Sequence, residues 1–338
     1  MSNVSVSIII PIYNAAAHLE RCLDAVLQQD FGDYEVICVN DGSTDDTQNI
    51  LICRVSMGRD ESRLRCFQQE NAGAWHARLR GLSEAKGQYI TFCDSDDRPA
   101  TNWISTMYDR AVSTKADMTL CGYKRVDAET GRTISKEMSL SGVLDVSEDK
   151  LQLAFLNSSL WNKLFKAELL THIYRPPQPP RLAEDALLLA GIYPHIGRVA
   201  FVPEILYDNY MHSASAMSHV SQEDFRLTRG AFSGMRMVYP PESFKLLTCI
   251  AFIHCAVSFP LLAGAEKRSA VKDTYEFLSK DFSDWKRAMT LKDVFKSKYR
   301  GKLIKIYFAF LLYRLHLFGI FLPIWQFMSN RVGIAVKW

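Results

Sequence analysis

The chain has neither a GxGxxG nor a GxxxxGK[ST] segment. The two glycine-rich phosphate cradles are therefore missing, which weakens the dinucleotide and P-loop classes. Its eight cysteines form no CxxC pair, and Cys38, Cys66, Cys93 and Cys121 sit inside apolar, strand-like runs. A free thiol in such a run behaves as a small hydrophobe, so a reducing compartment is expected rather than a disulfide framework. The N-terminus passes from Met1-Ser2-Asn3 straight into a strand pattern, without a basic segment and a small-residue cleavage site, so no signal peptide is expected. Acid is absent from Lys296 to Trp338, where eight Lys or Arg give +8; against +3 overall this leaves −5 for residues 1–295. The asymmetry points to an anionic surface as the partner of the tail.

What is present is an ordinary globular composition, 48% apolar and 23% charged over 338 residues, enough for a large core plus an appendage. The most informative stretch is Asp94-Ser95-Asp96-Asp97, directly after the apolar run Tyr89–Cys93. The run reads as a buried strand, and open α/β sheets bind ligands at the C-terminal ends of their strands. Three acids in four residues repel one another unless a cation or a solvated turn relieves them. Oxygen-only ligands suit Mg2+ or Mn2+, which bridge carboxylates to substrate phosphates. A polar turn capping the next helix, ahead of Pro99, fits equally well at this point.

The first 125 residues alternate strand and helix patterns. Strands are expected at Val6–Tyr13, Tyr34–Asn40, Arg63–Gln68, Gln88–Cys93 and Asp117–Val126, with helices at Ala15–Gln29, Asp45–Arg54 and Ala74–Ala85. Ser43-x-x-Asp46 resembles a capping box, and Gly87 occupies a plausible helix C-cap. This order implies an α/β fold with a mostly parallel sheet covered by helices. Residues 127–160 read as a polar excursion followed by a helix, Arg175–Arg181 with its prolines as an extended loop, and everything beyond Ser221 as helical.

Five segments, in order, resemble family 2 glycosyltransferases: Ser7-Ile-Ile-Ile-Pro-Ile-Tyr-Asn14, Val39-Asn-Asp-Gly-Ser-Thr-Asp45, Asn71-Ala-Gly73 with Ala77-Arg78, Lys86-Gly-Gln-Tyr-Ile-Thr-Phe92 and Asp94-Ser-Asp-Asp97. The resemblance covers about residues 5–215. It implies a GT-A fold and inverting transfer from a nucleotide sugar, with residues 1–220 as catalytic domain (1–125 for the donor, 126–220 for the acceptor and base). Carried over position by position, it implies donor contacts from Pro11, Tyr13, Asn14, Asp41, Arg78, Asp94 and Ser95, with Asp41 toward the base. A divalent ion, Mn2+ or Mg2+, is implied at Asp96 with Asp94. Arg78 would lie near the diphosphate or brace the acids; a surface salt bridge competes with that reading.

Further along, Trp161-Asn-Lys-Leu-Phe165 is similar to the WNKL stretch of capsule and lipopolysaccharide members, and Glu184-Asp185 to the family's catalytic acid pair. The resemblance implies Asp185 as general base, with Glu184 supporting; an acidic first turn of a helix is the competing reading. Trp161 stacks on a sugar or belongs to the core, Lys163 meets phosphate or is solvated, and His212 lines the donor site or is structural. Asn40 and Leu79 depart from the family pattern, and the absence of QxxRW implies one sugar per encounter.

Residues 303–328 are apolar but interrupted by Lys305, Arg314 and His316, with Gly319 and Pro323 expected to break the helix. A span needs about 20 largely uncharged residues. Residues 221–338 are thus read as a helical, basic extension anchored peripherally to anionic lipid, against a helix packed on the fold. The combined expectation is a glycosyltransferase on the cytoplasmic face of the inner membrane, extending a lipid-linked glycan for O-antigen, capsule or exopolysaccharide, without a nucleic-acid partner. A sugar nucleotidyltransferase would want glycines where Asn14-Ala15-Ala16-Ala17 stands. A non-catalytic nucleotide-sugar scaffold is the other alternative.

Overall fold

A computed structural model describes residues 4–56, 63–138, 140–212, 220–263, 267–296 and 300–323. The chain divides into two compact units that interleave along the sequence. One comprises residues 1–147, 159–172 and 195–215, the other residues 148–158, 173–194 and 216–338. The units therefore do not meet at a single boundary near residue 220, and Glu184 and Asp185 belong to the second.

The first unit is built on a ten-stranded sheet. In chain order it contains β1 (Val6–Ile12), α1 (Leu19–Leu27), β2 (Tyr34–Asp41), α2 (Thr47–Ser56), β3 (Leu64–Gln69), α3 (Ala74–Glu84), β4 (Tyr89–Phe92), β5 (Arg98–Pro99) and α4 (Trp103–Thr114). There follow β6 (Met118–Asp127), β7 (Thr133–Glu137), β8 (Gly142–Asp145), β9 (Lys163–Lys166) and β10 (Arg198–Met211). The order is β3-β2-β1-β4-β9-β6-β10-β5, with β7 beside β6 and β8 beside β10. Strands β1, β2, β3, β4, β6 and β10 point the same way, and the short β5, β7, β8 and β9 run against them.

β1 and β2 read as continuous apolar runs because both of their faces are covered. Ile8 and Ile10 share a core with Leu19, Leu23 and Val26 of α1 and with Trp103, Ile104 and Met107 of α4. Each such side chain contributes about 1.5–3 kcal/mol on burial. All eight cysteines are free thiols, and burial alone pushes Cys121 up to about 12.

Several local expectations need correction. α1 begins at Leu19, not Ala15, because the Ala15 and Ala16 amides donate to Thr47 Oγ1 and Asp45 Oδ2. No capping box forms at Ser43: its hydroxyl accepts from the Asn14 amide, and Asp45 Oδ1 takes the Thr47 amide. Gly87 is not a left-handed cap. It is needed because a Cβ there would approach the Ser7 amide nitrogen to 2.5 Å. The stretch after residue 127 forms β7 and β8, followed only by a 3-10 segment, Lys150–Phe155.

The second unit is helical: α5 (Glu184–Ile192), α6 (Gln222–Val238), α7 (Phe244–Ala251), α8 (Phe259–Leu262), α9 (Lys267–Asp281), α10 (Leu291–Lys296) and α11 (Arg300–Arg314). Ser221 and Asp224 form a capping box at the start of α6. A π-helical stretch, Phe252–Ser258, joins α7 to α8 and is buried, as the apolar run Phe244–Leu262 suggests. α11 packs on it: Tyr313 donates to Ala256 O at 2.7 Å, and the Phe252 ring meets Phe310 and Tyr313. The helix stops because His316 adopts φ 59, upstream of Gly319 and Pro323. Among the described residues no helix is long and apolar enough to cross a membrane.

One partly buried carboxylate ties three strands of the sheet together. Asp117, just before β6, accepts from Lys166 Nζ (2.8 Å) and from the Gly197 and Arg198 amides (2.9 Å each). Burial opposes its charge, but these donors outweigh burial and hold the carboxyl below its ordinary 3.8. A lowered folded-state pKa means stability that is present above the unfolded value and lost as pH falls through the folded one. Asp117→Asn should therefore cost roughly 1.5–3 kcal/mol near neutral pH in urea unfolding. The gap from the parent chain should narrow below about pH 4.

Candidate active site

The sheet supplies a crevice before any side chain is considered. β1 pairs with β2 as far as Ile12↔Asn40 but with β4 only as far as Ile9↔Phe92, so β1 and β4 part beyond that point. The connection from β1 leads out to β2 and β3 while β4 returns on the other side, a topological switch point where such sheets bind ligands. Pro11, which has no N–H for a ladder, lies in the parted section.

The acid turn occupies this crevice. Cys93 N–H donates to Ile9 O (3.0 Å), and Asp97 N–H closes the turn on Asp94 O (3.1 Å). Asp97 is fully buried. Its Oδ1 accepts from the Tyr210 amide (2.7 Å) and Asn209 Nδ2 (3.2 Å), and its Oδ2 from the same Asn209 nitrogen (3.1 Å). Burial first, then the charges of Asp94 and Asp96, raise its carboxyl well above the ordinary 3.8. Asp97 is thus the tie between the turn and β10, not a helix cap.

Three further groups brace the turn. The buried Tyr207 hydroxyl accepts the Asp94 amide (3.1 Å) and donates to Cys93 Sγ (3.4 Å). Arg78, also buried, brings Nη2 to 3.4 Å from Asp94 Oδ1. Arg21 of α1 donates to Asp96 O (2.6 Å) and lies 3.8 Å over the Tyr210 ring. The outward-facing carboxylates of Asp94 and Asp96 remain 34% and 36% exposed, with Ser95 half-buried between them. His212 Nε2 stands 3.2 Å from Asp96 Oδ2, and the His18 ring packs 4.4 Å from that of His212. Burial, then the neighbouring His212 and Arg21, lower the His18 imidazole from 6.5, with Asp96 opposing.

The tips of β1 and β2 are knitted to each other. Asn14, at φ 48, accepts the Thr44 amide on Oδ1 (2.8 Å) and leaves Tyr13 half exposed. Gly42 takes φ +69, and a Cβ there would meet the Asn71 amide nitrogen at 2.8 Å. Asp41 is buried: Oδ1 accepts Gln69 Nε2 (2.8 Å) and the Ala72 amide (2.9 Å), and Oδ2 the Gly73 amide (2.7 Å). Beside it, Gly42, Ser43, Gln68, Gln69 and Glu70 line a groove of about 520 Å3, within the range of small-molecule sites.

Two expected contact residues lie in the interior instead. Trp161 is buried, stacked on Tyr207 (4.7 Å, 11°) and edge-on to Tyr123, so it supports the turn from behind and presents no face to a sugar. Lys163 is fully buried, its ammonium donating to Ser159 O and Asn162 Oδ1, so it is neither solvated nor free for phosphate. Glu184 and Asp185 open α5 in the other unit, and the preceding Ala183 adopts φ 57, ψ 28. A non-glycine residue there costs about 1–2 kcal/mol. The sequence patterns did not single out His18, Arg21, Tyr207, Asn209 or Tyr210. They stand on elements remote in sequence from the acid turn, and only the polar tip of β10 hinted at them.

A helix-covered, mostly parallel sheet with an acid turn at its switch point is the GT-A architecture. TarS residues 1–349 of S. aureus, solved in complex with UDP-GlcNAc, superpose with a TM-score of 0.64 at 21% identity, covering 97% of this chain and 92% of that one. The profile of Glycosyl transferase family 2 matches residues 7–173. GlyG of Streptococcus pneumoniae is 30% identical over 226 residues, 63% of this chain and 72% of GlyG. GlyA of the same organism is 29% identical over 214 residues, 60% of this chain, and the match spans only 30% of GlyA's length. The chain belongs to glycosyl transferase family 2 and is a glycosyltransferase of that family.

Asp97→Ala would strand the Tyr210 amide and the Asn209 amide group in the interior, a loss of about 2–4 kcal/mol. Urea unfolding should show that loss, and Asp97→Asn, which keeps one acceptor oxygen, should recover about half of it.

Proposed function

We propose that this glycosyltransferase moves a sugar, with inversion, from a nucleoside-diphosphate donor to a hydroxyl of a lipid-linked glycan in surface-polysaccharide synthesis, at the cytoplasmic face of the membrane. The observation that carries the donor half is the acid turn: two outward carboxylates held rigid at the sheet's switch point by a third that is buried. The groove beside Asp41 suits the nucleoside, with Tyr13 free to stack and Ser43, Gln69 and Glu70 within the lining. Asp41 shapes that groove through the Ala72 and Gly73 amides, and its second lone pair on Oδ2 is the one left for a base or ribose N–H or O–H. Pro11, Asn14 and Ser95 take part through the backbone geometry they set.

The donor set fits a divalent cation. Asp94 and Asp96 offer exposed, oxygen-only ligands, and among the described residues no group of three or more acids, histidines or cysteines closes a site. Two carboxylates with the rest of the shell left to water and phosphate is the pattern of Mg2+ and Mn2+ sites. When bound, such an ion neutralises charge on the departing diphosphate. The protein's own groups then do the remainder. Arg78 holds Asp94, Arg21 holds the Asp96 carbonyl, and His212 sits where it can donate from Nε2 to Asp96 Oδ2 or to the diphosphate.

Asp185 is the general base in this reading, taking the proton from the acceptor hydroxyl as that oxygen attacks the anomeric carbon. The support is the resemblance of Glu184-Asp185 to the family's catalytic acid pair, together with the left-handed Ala183 that introduces α5, since backbone strain of that kind persists only where the surrounding structure enforces it. Glu184 assists from the same turn. The hydroxyl-bearing acceptor is taken as lipid-linked because of the basic, apolar C-terminal segment.

The test is donor turnover with a panel of nucleotide sugars and Mn2+. Nucleoside diphosphate should be released from one of them, and chelation should abolish the release. Asp96→Ala should weaken donor binding about 10-fold or more. Asp185→Ala should slow transfer by about 100- to 10,000-fold while leaving donor affinity intact. Transfer unchanged by either substitution would remove the assignment.

A further inference from the structure

The outer edge of β10 is covered in two pieces with a gap between them. β8 pairs along it as far as Gly142↔Phe201, and β5 takes it up again at Tyr207↔Pro99. Within the gap the register against β6 shifts twice, between Val202 and Ile205 and between Ile205 and Tyr207. Such bulges bend a strand and interrupt its ladder. α4 packs on β10, and beside the gap lies a groove of about 540 Å3, within the range of small-molecule sites. Asp109, Arg110 and Ser113 of α4, Ser141 just ahead of β8, and Phe201 and Glu204 of β10 line it. Asn209, which ties the acid turn, follows Glu204 and Phe201 along β10 by roughly 16 Å and 26 Å at the usual rise per residue. The groove is therefore a place apart from the donor crevice.

Its polar groups are poorly spent on the fold. Asp109 and Glu204 are exposed, and neither has an ion pair or a side-chain hydrogen bond among the described residues. Arg110 gives Nη2 to Gly142 O at 2.8 Å, which fixes the guanidinium, while its buried Nε has no acceptor among the described residues. A buried donor without an acceptor is rare in a folded protein. Two unengaged carboxylates beside a fixed guanidinium offer acceptors and donors together, which suits hydroxyl groups, since each hydroxyl is both. Charge narrows the occupant further. Two carboxylates against one guanidinium repel phosphate, a nucleotide or an acidic polymer, and the guanidinium itself disfavours a cation. The backbone disfavours an added peptide strand: Pro203 has no N–H, and the Glu204 carbonyl lies against Gly122, where an added Cβ would meet it at 2.8 Å. We propose that this groove binds a neutral stretch of glycan, its sugar hydroxyls held by Asp109, Arg110 and Glu204, while transfer takes place at the acid turn. The proposal rests on the reading of the acceptor as a glycan and adds a second place where such a chain is gripped.

The experiment is titration calorimetry of the full chain with neutral hexasaccharides of glucose, galactose, mannose and N-acetylglucosamine, and with hexagalacturonate as the acidic counterpart. At least one neutral hexasaccharide should bind, and hexagalacturonate should bind about tenfold more weakly or worse. Asp109→Ala combined with Glu204→Ala should weaken the neutral ligand about tenfold or more, and Glu204→Gln, which keeps the shape and removes the charge, about fivefold. Asp96→Ala, which strikes the donor crevice alone, should leave that binding unchanged. Unchanged urea midpoints show that the groove variants remain folded, and their donor turnover without acceptor should equal that of the parent chain. The proposal is overturned if no neutral hexasaccharide binds, if the groove variants retain full binding, or if hexagalacturonate binds more tightly. Glycan binding without donor turnover would count against the proposed reaction alone, and donor turnover without glycan binding against this inference alone.

Discussion

The arrangement of the first unit depends on one buried carboxyl group. Asp97 has no solvent to turn to, and its three contacts all come from β10, the last strand of the sheet. Burying an acid is costly unless it is fully hydrogen-bonded or neutral. The chain meets that cost with a backbone amide and a side-chain amide, and by letting the carboxyl titrate well above its usual range. What results is a short acidic turn whose two outer members cannot relax away from each other. The same turn is held by Tyr207 from beneath and by Arg21 and Arg78 from the flanking helices. Like-charge repulsion between Asp94 and Asp96 is thereby stored in a rigid frame, ready to be relieved by a cation.

The other constraint is conformational. Asn14, Gly42 and Ala183 each take left-handed backbone angles, the first two at the tips of β1 and β2 and the third at the entry to α5. Asparagine and glycine adopt that region at little cost, whereas alanine does not. Ala183 therefore carries strain at the position that leads into Glu184 and Asp185, as Lys115 and His316 do at the ends of α4 and α11.

Much of this was legible in the sequence, and the reasons differ from element to element. β1 and β2 were readable because a strand buried on both faces is apolar at most of its positions. The acid turn was readable because three carboxylates after such a strand have few physical explanations. The tie from Asp97 to Asn209 and Tyr210 was not, since it joins residues 112 and 113 positions apart with no periodicity to mark either end. Trp161, open between sugar and core, and Lys163, open between phosphate and solvent, could not be settled for a related reason. An aromatic or a lysine carries no local sign of which way it faces, and here a neighbouring carbonyl and an asparagine satisfy an ammonium in the interior. In α11 the apolar pattern was seen, but two overlapping stripes, one for the core and one for the outside, blur each other in any single periodicity. The helix stop at His316 rests on a left-handed residue that composition does not announce.

The position of β10 also bears on how the protein is made. The sheet order places this 14-residue strand between β6 and β5, yet it is the last of the ten to leave the ribosome. Until residue 211 has emerged, Asp97 has neither of its amide partners and β6 presents an open edge along its length. Strand edges of that kind are where nascent chains associate wrongly. The remaining hundred or so residues between Asp97 and the end of β10 take about 5–20 s to synthesise at ordinary elongation rates, and through that interval the acid turn lacks the tie that later fixes it.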